Sequence, residues 1–128
     1  PLGEWRNRVM LIADDHEQGS RPDPLRWIHM RQTAVLDTAV TPDHIDRAYV
    51  YLHTYPDGDP RGETKPEAKA EIKRVVNAGT LMFNYIGHGS PFKITDENVL
   101  IDTDAGSFSS RMSGSAPWFS TSHRLLSS

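Results

Sequence analysis

The chain has 128 residues, 37% of them hydrophobic and 24% charged, a globular composition at the size of one domain of about 100 to 150 residues, which excludes wholesale disorder and a multidomain machine. Its 14 Lys and Arg against 17 Asp and Glu leave a formal charge of −3, with no basic stretch to neutralise phosphates, so no nucleic-acid partner is expected. No apolar run reaches the roughly 20 residues of a membrane span, the start lacks an export signal, and zero cysteines exclude disulfides, thiolate metal sites and a cysteine nucleophile within these residues.

The first expected element is Asn7-Arg8-Val9-Met10-Leu11-Ile12-Ala13, a nearly continuous apolar run of the kind that forms a strand buried on both faces of a parallel sheet. It ends in the polar cluster Asp14-Asp15-His16-Glu17. Residues 18–24 hold Gly, Ser and two prolines and read as a loop; residues 25–40 then carry Leu25, Ile28, Val35 and Leu36 among good helix formers and predict a helix. Ala48-Tyr49-Val50-Tyr51-Leu52-His53-Thr54-Tyr55, rich in β-branched and aromatic residues, predicts a second strand stopped by Pro56-Asp57-Gly58-Asp59-Pro60.

Pro66 suits a first helical position, and Ala68, Ile72, Val75 and Val76 recur at helical spacing up to Gly79, a natural C-terminal cap. Thr80-Leu81-Met82-Phe83-Asn84-Tyr85-Ile86 predicts a third strand, halted by Gly87-His88-Gly89-Ser90-Pro91. Strand and helix in alternation predict an α/β fold on a mainly parallel sheet with right-handed crossovers. Active sites in such sheets lie beyond the carboxyl ends of the strands, where both polar clusters fall. The tail differs: nine of eleven serines lie in residues 107–128 and no acidic residue follows Asp104. Ala116-Pro117-Trp118-Phe119-Ser120-Thr121-Ser122 is a candidate fourth strand. The chain starts without Met, as a piece of a longer protein would.

Gly87-His88-Gly89-Ser90 is the sharpest local feature. A histidine between two glycines at a strand end is expected to be exposed, with backbone that approaches a substrate closely. His88 is a candidate general base, and the Gly89 N–H a candidate donor to an oxyanion; the plain alternative is a tight turn with an incidental histidine. In the first cluster, a carboxylate would orient His88 if the two strands are neighbours. Asp14, Asp15 and His16, with His88, alternatively make a divalent-metal site for a metal-dependent hydrolase, and a solvated acidic loop is the third reading. His29 and His44 read as surface residues, and His53 as a residue bordering the site. Thr95-Asp96-Glu97-Asn98 with Asp102 and Asp104 departs from EF-hand spacing and reads as a solvated loop. Ser122 lacks the surroundings of a serine nucleophile.

In order, Trp5-Arg6-Asn7-Arg8-Val9-Met10-Leu11-Ile12-Ala13-Asp14-Asp15, Tyr49-Val50-Tyr51-Leu52, Asn77-Ala78-Gly79 and Asn84-Tyr85-Ile86-Gly87-His88-Gly89-Ser90 resemble the gingipain family of cysteine peptidases. The resemblance runs over residues 4 to about 106. It implies a caspase-like three-layer α/β/α sandwich, secretion or display at the cell surface, a peptide or protein substrate, and peptide-bond hydrolysis by a Cys-His pair without a cofactor. By resemblance His88 is the catalytic histidine, Gly89 supplies the oxyanion donor, and Asp15 is the best match for the acidic orienter, with Asp14 or Glu17 as alternatives.

The resemblance breaks at the nucleophile. Ala116-Pro117-Trp118-Phe119 looks like the start of the family's cysteine-bearing strand, which places the cysteine at or near His123 or Arg124, and neither side chain replaces a thiolate. The expectation is therefore one partial peptidase domain over residues 1–128, family-like over 1–106 and atypical over 107–128, with the isolated chain inactive. A truncated or frame-shifted reading frame and a non-catalytic interaction domain are the competing explanations.

Overall fold

A computed structural model describes residues 3–15, 17–18, 21–22, 27–61, 64–95, 98–101 and 104. The described elements are β1 (Arg8–Ala13), β2 (Glu17–Gln18), β3 (Arg21–Pro22), α1 (Ile28–Val35), β4 (Asp46–Tyr51), α2 (Pro66–Ala78), β5 (Met82–Ile86), β6 (Gly89–Ser90), β7 (Lys93–Ile94) and β8 (Leu100–Ile101). The expected α/β fold is observed, with a parallel three-stranded sheet at its centre. The candidate fourth strand at 116–122 lies outside the described residues, and among those described no helix is long and apolar enough to cross a membrane.

Strand β1 is the middle of the sheet, paired in parallel with β4 on one edge and β5 on the other. Val9 through Ala13 are all buried, because a strand with neighbours on both edges and a helix layer on each face has no solvent side; hence the unbroken apolar run. The register matches Met10 with Ala48 and Phe83, and Ile12 with Val50 and Tyr85, so these residues share one face. Ala68, Ile72 and Val75 of α2 pack against that face in the main core with Met10, Ile12, Val50 and Leu52. The opposite face is covered from the side of α1, whose following turn reaches Tyr49 through an Asp37 Oδ2 bond of 2.7 Å. The result is three layers. The crossover from β1 to β4 and the one from β4 back across β1 to β5 step in opposite directions, and crossovers of one hand that do so put their helices on opposite faces.

Element ends follow local chemistry. Helix α2 starts with Pro66 at its first turn, and Gly79, at φ 103°, donates its N–H to Val75 O at 3.0 Å and Val76 O at 3.1 Å, a closure that a side chain would strain. The expected strand over 48–55 is shifted to Asp46–Tyr51, since its length is set by β1 from Arg8 opposite Asp46 to Ala13 opposite Tyr51. Past that ladder, Leu52–Thr54 tightens into a 3₁₀ turn. Among the described residues of the helix expected over 25–40, Ile28–Val35 is α-helical and Leu36–Val40 widens to a π-helical turn. There Thr41 N–H reaches Leu36 O at 3.0 Å, and the Thr38 hydroxyl bonds back to Ala34 O at 2.8 Å, threonine chemistry that competes with regular helix bonding. Beyond β5 the chain forms a small antiparallel sheet ordered β6-β7-β8, where the sequence suggested only a loop.

Candidate active site

With the sheet order β4-β1-β5, the chain leaves β1 toward one edge and returns to the other. The crevice at that topological switch lies beyond the carboxyl ends of β1 and β5, the place where α/β sheets hold ligands. Asp14 follows the end of β1 and Gly87-His88 the end of β5. One bond extends the ladder past the strands: Asp14 N–H donates to Ile86 O at 3.0 Å.

That extra rung explains which carboxylate meets the histidine. Strand alternation turns Asp14 to the face of Ile12 and Tyr85, directly against the turn after β5. Its Oδ2 accepts from the His88 N–H at 2.7 Å and lies 3.2 Å from His88 Nδ1. The Tyr85 hydroxyl is 2.9 Å from the same oxygen and also contacts the His88 carbonyl; its single proton serves one acceptor at a time. Oδ1 accepts the Asp15 N–H at 3.0 Å. Asp14 is only 2% exposed, and these donors offset the cost of holding a carboxylate out of water. A carboxylate only accepts, so the contact places a proton on His88 Nδ1, facing Asp14 Oδ2.

Gly87 is needed for space. A Cβ placed there would overlap Asp14 Cβ and the Tyr85 hydroxyl and stand 2.6 Å from Asp14 Oδ2, so any side chain would part the two strand ends. Gly89 opens β6 opposite Ile94. The Thr95 N–H bond to His88 O, 3.0 Å, makes Gly89 and Ile94 a pair that exchanges no bonds, which directs the Gly89 N–H away from β7.

Asp15 goes elsewhere. Its Oδ2 lies 3.4 Å from Lys65 Nζ, which also bonds Asp57 Oδ1 at 2.8 Å and the Tyr55 carbonyl at 3.2 Å. Burial by itself would lower the pKa of the Lys65 ammonium, but the Asp57 hydrogen bond and the charge of Asp15 outweigh it and hold the pKa above the usual lysine value. Lys65 thus stays cationic just ahead of α2 and compensates Asp15 in the interior.

His29, read from sequence as a surface residue, is half-buried beside the site: its ring meets that of His88 edge to face, centroids 4.8 Å apart, and its Nδ1 is 3.3 Å from the Asp15 carbonyl. His53 packs edge-on against Trp27 at 5.1 Å, and Asp104 is buried among Lys69 at 2.7 Å, Lys73 at 3.3 Å and the Ile101 N–H at 3.0 Å. Asp104 is therefore a structural anchor, where a solvated loop was expected. His16, Asp96, Glu97, Asp102, Ser122, His123 and Arg124 lie outside the described residues, as does the side chain of Glu17. Sequence reasoning missed Tyr85, Lys65 and His29. Tyr85 carried a faint signal, alternating with Phe83 on β5 two residues before the glycine turn; the others had none.

The family model of peptidase family C25 matches residues 1–121, past residue 106 and through Ala116-Pro117-Trp118-Phe119. No curated protein and no solved structure gives a significant match to the chain.

Proposed function

The chain belongs to peptidase family C25, the gingipain family, and on that premise we propose that Asp14 and His88 are the orienter and the general base of a cysteine endopeptidase site. The supporting observation is the 3.2 Å approach of Asp14 Oδ2 to His88 Nδ1 on a buried carboxylate. In the complete enzyme His88 Nε2 takes the proton of a cysteine thiol, and the thiolate attacks the scissile carbonyl of a peptide or protein substrate. The Gly89 N–H, turned out of its hairpin, receives the developing oxyanion, and the imidazolium returns its proton to the leaving amine. Asp14 replaces Asp15 as the orienter in this proposal, because Lys65 engages Asp15.

The chain holds no cysteine, and we place the missing nucleophile at the position of His123 or Arg124. The matched range, running to 121, supports assigning Ala116-Pro117-Trp118-Phe119 to the strand before it. The proposed organisation is a single peptidase domain unit, with the family motifs in 1–106 and the serine-rich segment after them; family membership also supports a secreted or cell-surface setting. The chain as it stands should cleave nothing in a peptide library. His123→Cys or Arg124→Cys should permit labelling by a peptidyl acyloxymethyl ketone that His88→Ala abolishes. Turnover by the unaltered chain that survives His88→Ala would overturn the proposal. The lack of cysteine also supports a second reading, a domain that binds peptides without cutting them; saturable peptide affinity with no labelling of either cysteine variant would favour it.

A further inference from the structure

His29 has no part in the peptidase chemistry above, yet it stands at the site. One ligand atom each from Asp14, His29 and His88 lie within 4.8 Å of one another. We infer that these three side chains form a binding site for a divalent transition ion of the zinc class, which occupies a ring nitrogen of His88 when it binds. The binding itself is independent of the peptidase reading; only its meaning as a brake on the general base rests on it.

Two imidazoles and one carboxylate are the donor set of open zinc sites, which keep a fourth position for water. Imidazole also suits copper and nickel, whereas magnesium and calcium want oxygen ligands. Ligand atoms around a tetrahedral zinc stand roughly 3.3 Å apart, given bonds of about 2.0 to 2.1 Å. The Asp14–His88 edge already measures 3.2 Å, so closure requires His29 to move inward. Both rings are half-buried, at the crevice rim, and already meet edge to face.

His29 is also set in the right tautomer. The Asp15 carbonyl at 3.3 Å only accepts, so Nδ1 carries the proton and Nε2 presents its lone pair, and a backbone carbonyl behind a histidine is a common outer support of metal ligands. The nearby cation does not cancel the site's charge, since Lys65 is committed to Asp57 and Asp15. Once an ion holds a ring nitrogen of His88, either the orienting bond at Nδ1 or the lone pair at Nε2 is lost, and the ring no longer accepts a proton.

The test is titration of the full chain with zinc chloride, followed by calorimetry and by the ring signals of its six histidines in NMR spectra. The expected result is one ion per chain at concentrations up to about 100 μM, with His29 and His88 shifting and His44 and His53 unmoved. Magnesium and calcium should leave every signal in place. His29→Ala should weaken binding by at least about tenfold, while His44→Ala, on the exposed side, should not. Absence of heat and of shifts, shifts confined to other histidines, or unchanged affinity in His29→Ala would overturn the inference. If His29→Ala proves unfolded, the shift pattern of the unaltered chain decides. Because no thiol enters the measurement, zinc binding at His29 and His88 in a chain whose cysteine variants show no His88-dependent labelling would separate the failure of the peptidase reading from the fate of this site.

Discussion

Replacing Asp14 by Asn tests the geometry on which the site depends. The two carboxylate oxygens meet donors only: the Asp15 N–H at 3.0 Å on Oδ1, and the His88 N–H at 2.7 Å, the Tyr85 hydroxyl at 2.9 Å and His88 Nδ1 at 3.2 Å around Oδ2. An amide offers one accepting oxygen and one donating nitrogen. Whichever way it rotates, an NH2 group faces a backbone N–H in a place only 2% exposed. A buried donor left unsatisfied costs about 1 to 3 kcal/mol and a bond to a charged group is worth about 1.5 to 3, so Asp14→Asn should destabilise by about 3 kcal/mol. Urea denaturation followed by circular dichroism, with the slope unchanged, gives the number. Asp15→Asn is the control for the site and not for stability: it takes one partner from the buried Lys65, which keeps Asp57 and the Tyr55 carbonyl, at a cost of about 3 kcal/mol, and leaves the partner of the His88 ring in place. Nitrogen NMR of the His88 ring should show Nδ1 protonated in the parent chain and mixed tautomers in Asp14→Asn. A loss below about 1 kcal/mol, or a His88 tautomer that Asp14→Asn leaves unchanged, would refute the argument.

Three further outcomes are expected. Gly87→Ala should lower stability by about 1 to 3 kcal/mol through overlap with Asp14 and Tyr85, and more than Gly89→Ala, whose added Cβ meets only the Lys93 carbonyl at 3.3 Å; paired thermal melts compare them. Tyr85→Phe should cost about 1 kcal/mol by removing a partner of Asp14 and the His88 carbonyl, read from urea midpoints. The third concerns acid. Burial opposes ionisation of Asp104, but Lys69, the Ile101 N–H and Lys73 prevail and bring its pKa from 3.8 to about 2. A folded-state pKa below the unfolded one means stability that is complete above about pH 4 and lost as pH falls toward about 2. The shift corresponds to about 2.5 kcal/mol at most, and to about 1 to 2 with solvent screening at the half-exposed lysines; Asp104→Asn should flatten that part of a pH series of unfolding free energies.

Much of the frame was legible because it rests on short-range pattern. A continuous apolar run marks β1 as a strand without a solvent face, proline and glycine bracket α2, and His88 stands out because two glycines at a strand end serve few purposes other than close approach. The turn at Leu36–Val40 was not legible, since its threonines bond locally in a way that helical periodicity does not register.

What the amino-acid order determined on its own was therefore the order of the three central strands and two helices, the parallel arrangement of those strands, and a histidine awaiting a carboxylate at the sheet's rim. Choosing between Asp14 and Asp15 fell to the tertiary structure, because adjacent residues on an extended chain point to opposite sides and only the register of β1 against β5 says which side holds the partner. The same holds for Tyr85, Lys65 and His29, whose roles come from contacts that sequence distance hides: 71 residues separate Tyr85 from Asp14, and 14 separate His29 from Asp15. Hydrophobic spacing reports which face of an element is buried, but the pairing of polar groups inside that burial exists only once the elements have packed.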